Sequence, residues 1–129
     1  MRPMLIRFAT ALAVSGPLAV AALPATAADC ELAIRHATYV AEQGELVFRS
    51  ENYIQASDAA SNARIPSIDA WQQAKACGCP EAVAPLEDAT LTARRANNAM
   101  DLPNARMYGE RIKKDAEAAL EALRRCAAR

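Results

Sequence analysis

Residues 75–81 read Lys75-Ala76-Cys77-Gly78-Cys79-Pro80-Glu81, and this stretch divides the chain into two halves of matched length. Cys30 stands 47 positions before Cys77, and Cys126 stands 47 positions after Cys79. Only Gly78 separates the halves. An ungapped alignment of 30–77 on 79–126 adds just three Ala–Ala identities to the cysteines, at Ala33/Ala82, Ala56/Ala105 and Ala70/Ala119. In a region with 23 alanines among 101 residues, chance supplies that many. The equal spacing therefore speaks for equal geometry and does not establish duplication.

Four cysteines allow three pairings. Cys77–Cys79 with Cys30–Cys126 requires a strained small ring. Cys30–Cys79 with Cys77–Cys126 cross-links the halves. Cys30–Cys77 with Cys79–Cys126 clasps each half as its own helical hairpin, and this is the pairing the spacing favours. Each clasp closes a loop for which chain entropy gives about 4 kcal/mol as an upper figure.

Outside the cysteines, Ala, Glu, Arg and Leu dominate, and strand-type alternation is missing, so the expected class is all-α. The clearest helix follows Asp101, a capping residue, with Pro103 in the first turn. Ala105, Tyr108, Ile112, Ala116, Ala119, Leu123 and Cys126 then recur at steps of three and four. The preceding helix opens at Cys79-Pro80 and carries the seam Cys79, Ala82, Leu86, Ala89, Ala93, Ala96 and Met100, with Pro85 expected in its second turn. A short connection around Met100–Leu102 makes these two helices antiparallel neighbours.

The first half is less regular. Cys30, Ala33, Ala37, Val40, Gly44 and Val47 form one stripe, and a second runs through Tyr53, Ala56, Ala60 and Ala63. The phase changes within Phe48–Asn52. A helix that switches its buried face, or a break restarted by Ser50, would produce it. Ile65-Pro66 is expected to end that helix and Ser67 to cap a short one through Ile68, Trp71, Ala74 and Cys77. The architecture read from this is an antiparallel bundle of three to four helices over residues 29–129, stapled by two disulfides at one end.

Residues 1–28 read differently. Arg2 and Arg7 precede an apolar run from Ala11 to Leu23, and Ala25-Thr26-Ala27-Ala28 offers small residues for cleavage. This is the pattern of a secretory signal peptide. An even cysteine count in an exported chain of this size fits an oxidising compartment, the periplasm or the outside. No later stretch is long and apolar enough to span a bilayer, so no stable membrane insertion is expected after cleavage.

Composition narrows the function. The whole chain has 15 basic and 15 acidic side chains; residues 29–129 hold 13 and 15, a net of −2. That balance disfavours nucleic acid as a partner, because binding it requires displacing counterions with a basic surface. His36 is the single histidine, which argues against most His-dependent catalytic and zinc sites; it reads as packed or half-exposed. Ser50, Ser57, Ser61 and Ser67 lack a nucleophile-elbow context. Glu42 and Glu45 read as a solvated helix face. Arg94-Arg95, Lys113-Lys114 and Arg124-Arg125 read as exposed decoration. Met100 and Met107 are too few for a methionine-rich copper site and are expected to pack in or near the core.

Three functional readings remain. The first is a non-enzymatic binder of another envelope or secreted protein, without metal or cofactor: an inhibitor, an immunity-type protein, an adaptor or a subunit. Its contact residues are expected at Phe48, Tyr53 and Trp71, where the apolar stripe changes face and the aromatics concentrate. The second is thiol redox or soft-metal binding, copper above all, at Cys77 and Cys79. That motif is neither CxxC nor CxxCH. The third is a chaperone-like helical binder. The export pattern yields a direct test: N-terminal sequencing of the native protein should read from Ala28 or Asp29, and a chain beginning at Met1 overturns it.

Overall fold

The computed structural model describes residues 27–129 and is all-α, with no strand among the described residues. The expected export segment, residues 1–28, lies outside them except for its last two residues. Helix α1 spans Ala27–Phe48, α2 Tyr53–Ala76, α3 Val83–Asn97 and α4 Leu102–Ala127, with one 3-10 turn at Pro80–Ala82. The four helices run up and down in a ring, each against its chain neighbours and α4 against α1.

The two disulfides are Cys30–Cys77 and Cys79–Cys126, with Cα separations of 5.2 and 5.8 Å. Each ties the start of one hairpin to its end, so both lie at the same end of the bundle. The turn between them explains how adjacent cysteines serve different hairpins. Gly78 takes φ 74°, a left-handed conformation that a residue with a Cβ adopts at a cost. Its N–H bonds to the Lys75 carbonyl, and the Cys79 N–H bonds back to Ala74 at 2.9 Å. This is a Schellman closure of α2.

The interior is built largely of alanine. Two clusters occupy it, one at the disulfide end around Leu86 and Leu123, the other toward the loops around Val40, Val47 and Ile112. Small side chains on all seams let the backbones approach closely, and two glycines mark such an approach between α1 and α4. A Cβ on Gly44 would stand 2.7 Å from the Lys113 backbone nitrogen, and one on Gly109 would stand 2.6 Å from that of Phe48. At this crossing glycine is required by contact.

Several sequence expectations are corrected. Pro66 does not end a helix: α2 runs unbroken from Tyr53 to Ala76 with Pro66 inside it. The buried positions Ala56, Ala60, Ala63, Ser67, Ala70 and Ala74 keep one seven-residue phase through the proline. Their packing outweighs its cost of about 3 kcal/mol in a helix interior. The carbonyl released by the missing N–H belongs to Asn62, an exposed residue within reach of water. Ser67 is fully buried and caps nothing; its Oγ donates to the Arg64 carbonyl and lies 2.8 Å from Thr90 Oγ1 on α3.

The irregular stretch is a true break, but Asn52 restarts the chain instead of Ser50, its side chain accepting from the Gln55 N–H at 3.0 Å. Ser50 Oγ instead donates back to the Leu46 carbonyl. Pro85 falls in the first turn of α3, where a missing N–H costs nothing, because the 3-10 turn intervenes. Met100 is 94% exposed, since α3 stops at Asn97 and the seam continues past the helix that carried it. Met107 is exposed too, so neither methionine is core.

With so little large apolar area to bury, the staples and the tight crossing should dominate stability. Replacing Cys30 and Cys77 together by Ser should cost about 2–5 kcal/mol in chemical denaturation. Gly109→Ala should cost about 2 kcal/mol by forcing α1 and α4 apart, despite the better helix propensity of alanine.

Candidate functional site

The end of the bundle opposite the disulfides is formed by the α1–α2 loop and the α3–α4 loop. Hydrogen bonds join these loops into one surface. Tyr53 OH donates to the Asn97 carbonyl at 3.0 Å. Asn97 Oδ1 accepts from Ser57 Oγ at 2.6 Å and from Ser61 Oγ at 3.1 Å. Arg106 Nε donates to the Ser50 carbonyl at 2.7 Å, fixing the first loop to α4. A second tie lies about two turns further along α4, where Lys113 Nζ meets Glu45 Oε2 at 2.8 Å. Lys113, and then Arg49, hold the Glu45 carboxyl below the usual carboxylate range.

On this framed end, large apolar side chains stand in solvent. Phe48 closes α1 and Tyr53 opens α2, both exposed as the phase break implied. Ile54, 72% exposed, follows Tyr53, and Met100 sits in the second loop. Met107 belongs to the second turn of α4. Sequence reasoning did not select Ile54, Met100 or Met107 for this surface. The available signal was an apolar residue out of phase with its seam, which Ile54 is.

Trp71 is not part of this end. It lies 18 residues beyond Tyr53 on a continuous helix, roughly 27 Å along the axis. It is half-buried against the disulfide-end core, and the Lys75 ammonium covers its ring at 4.5 Å from the centroid. The structure thus joins two of the three expected contact residues and separates the third.

At the other end all four cysteines are paired and buried. Cys79, Cys126 and Glu81 bring their ligand atoms within 4.8 Å of one another. A hydrogen bond from its own backbone N–H, then Arg129, hold the Glu81 carboxyl below its ordinary value. His36 is half-buried, its Nδ1 lying 2.7 Å from Gln73 Oε1 across the α1–α2 interface. Arg94, Arg95, Lys114, Arg124 and Arg125 are exposed as expected, whereas Glu45 is tied to α4 and is no free surface acid.

Between α3 and α4 a groove holds Asp88 and Asp115. Burial, then the nearby Asp88 charge, push the Asp115 carboxyl up, with Arg111 pulling the other way. Paired carboxylates can serve acid and base roles, but no cysteine, serine or histidine lines the groove with them. Comparison with known protein families, with curated proteins and with solved structures found no match.

The Asp115 shift has a definite sign. The folded state holds this proton more tightly than the unfolded chain does. Stability is therefore lost as pH rises from the ordinary carboxylate range through the raised value. Asp115→Asn should melt higher than wild type at neutral pH, and the difference should close in acid, where both states carry the proton. Thermal melts across pH check this, and a lower melting temperature for the variant at neutral pH contradicts it.

Proposed function

We propose that the protein is a non-enzymatic binding module of an oxidising compartment, the periplasm or the exterior, that engages another envelope or secreted protein through the loop end of the bundle. The observation that carries this reading is the exposure of Phe48, Tyr53, Ile54 and Met100 on one end whose loops are tied together by hydrogen bonds. Exposed large apolar groups on a preorganised frame suit partner binding, because little ordering remains to oppose association. Paired cysteines suit a compartment that keeps thiols oxidised. No helix among the described residues is long and apolar enough to cross a membrane.

Thiol or soft-metal chemistry has one observation in its favour. Were the second disulfide reduced, Cys79, Cys126 and Glu81 would form a compact donor set. Geometry thus moves that reading from Cys77 and Cys79 to a different trio. Free-thiol counting on protein isolated under native conditions separates the two: four paired cysteines support the binding module, and reduced Cys79 and Cys126 support the metal site.

The interface itself is tested by single truncations. A partner is first identified by affinity purification of the full chain from the cells that make it, then titrated in purified form. Phe48→Ala, Tyr53→Ala and Ile54→Ala should each weaken binding by about tenfold or more, with melting temperatures near wild type. Trp71→Ala should lower the melting temperature and leave affinity unchanged. Unaltered affinity in all three loop-end variants would falsify the assignment.

A further inference from the structure

The outer surface of α1 carries an apolar feature separate from the loop-end cluster. Leu32, Tyr39 and Leu46 are 49, 39 and 54% exposed. They stand seven residues apart, so they line one flank of the helix over about 21 Å. Each comes one residue before a fully buried position, Ala33, Val40 and Val47, so the stripe and the core seam are different sides of one helix. By contrast α4, four residues longer, exposes among its large apolar side chains only Met107. Apolar surface residues scattered singly need no explanation, but three held in one register do.

Charge alternates along the same surface. Arg35 and Glu42 are exposed and lie three residues after Leu32 and Tyr39 in turn, beside the stripe. Arg35 pairs with Glu31 of its own helix at 2.9 Å, a solvated contact that is easily shared, and Glu42 has no ion-pair partner among the described residues. The pattern complements itself in one direction. A second α1 laid antiparallel across the first, Tyr39 against Tyr39, brings Leu32 to Leu46 and sets Arg35 beside Glu42, each contact occurring twice by symmetry. A parallel pairing in register sets Arg35 on Arg35 and Glu42 on Glu42, like charge against like.

We infer that this face of α1 is a two-fold contact between two copies of the chain, antiparallel and centred on Tyr39. The occupant follows from the residues: apolar groups placed symmetrically about Tyr39, with opposite charges exchanging places across the same centre, match a second copy of themselves. Three apolar side chains and one ion pair from each copy make a small contact, which suits a reversible dimer and not a permanent one. The inference goes beyond the loop-end reading and does not depend on it. Antiparallel pairing leaves one loop end at each end of the dimer, so two copies would present binding ends that face away from each other.

The test is sedimentation velocity on the oxidised full chain, over a dilution series that reaches millimolar protein. A concentration-dependent dimer is expected at the upper end. Arg35→Glu and Glu42→Arg should each weaken self-association about tenfold or more, since both symmetric pairs become repulsive. Mixing these two variants in equal amounts should restore it, because every pair between unlike variants is again of opposite sign. Tyr39→Lys, on the axis, should abolish it. All three positions are exposed, so dilute variants should melt near wild type. Photoreactive benzoylphenylalanine in place of Leu32 should link to the peptide that holds Leu46; the two positions are about 21 Å apart along one helix, so the link reports two chains. A chain that stays monomeric throughout, a dimer indifferent to Tyr39→Lys, mixed variants that fail to recover, or a link from position 32 to position 32, each overturns the inference. So does a monomeric chain whose Tyr39→Lys variant loses affinity for the purified partner of the loop-end test, which gives the stripe to that partner and leaves the loop-end reading standing.

Discussion

An interior made of alanine can hold a fold together only if its helices approach closely enough for short side chains to touch. Everything else in this bundle follows from that requirement. Dispersion falls off steeply with separation, so a gap of less than an ångström between alanine seams would forfeit much of the contact energy. Gly44 and Gly109 set the separation of α1 and α4 by allowing backbone to meet side chain and backbone directly. The few larger buried groups, Leu86, Ile112, Leu123, Val40 and Val47, fill what the alanines leave. Such a core contributes modest hydrophobic free energy per residue, and the two disulfides add to it, as is common in small disulfide-linked domains.

Rigidity at the disulfide end and exposure at the loop end are two sides of one design. Clasping each hairpin at its open mouth leaves the opposite end to be closed by loops. Those loops are ordered by polar contacts, Tyr53 and Ser57 on Asn97 and Arg106 on Ser50, instead of by apolar burial. Apolar side chains there are consequently free to face outward.

The cysteine spacing and the alanine seams made the bundle, its antiparallel order and its pairing readable in the sequence, because covalent loops and helical periodicity are local properties. Pro66 was misread for a reason of the same kind: a strong local rule favours a stop there, while the unbroken phase of Ala63, Ser67 and Ala70 pointed to continuation. Asn52 and Ser50 are both competent caps, and only the position of α4, whose Arg106 takes the Ser50 carbonyl, distinguishes their roles. Phe48 and Tyr53 were visible through the phase break. Trp71 was grouped with them by composition, which carries no information about distance along a helix.

The two staples also determine how the chain is wired. Each closes its own ring, Cys30 to Cys77 and Cys79 to Cys126, and a single glycine joins them, so the covalent path is a figure of eight. A protease that cuts once inside either ring releases no fragment; the nicked chain keeps both hairpins attached and can close again around the same contacts. Two such rings also hold the denatured chain compact, so a change in its ends or loops is felt by a small ensemble. The wiring therefore confers tolerance to damage as well as stability. It places the point of greatest vulnerability at Gly78, the one covalent link between halves that otherwise meet through packing, hydrogen bonds and an ion pair.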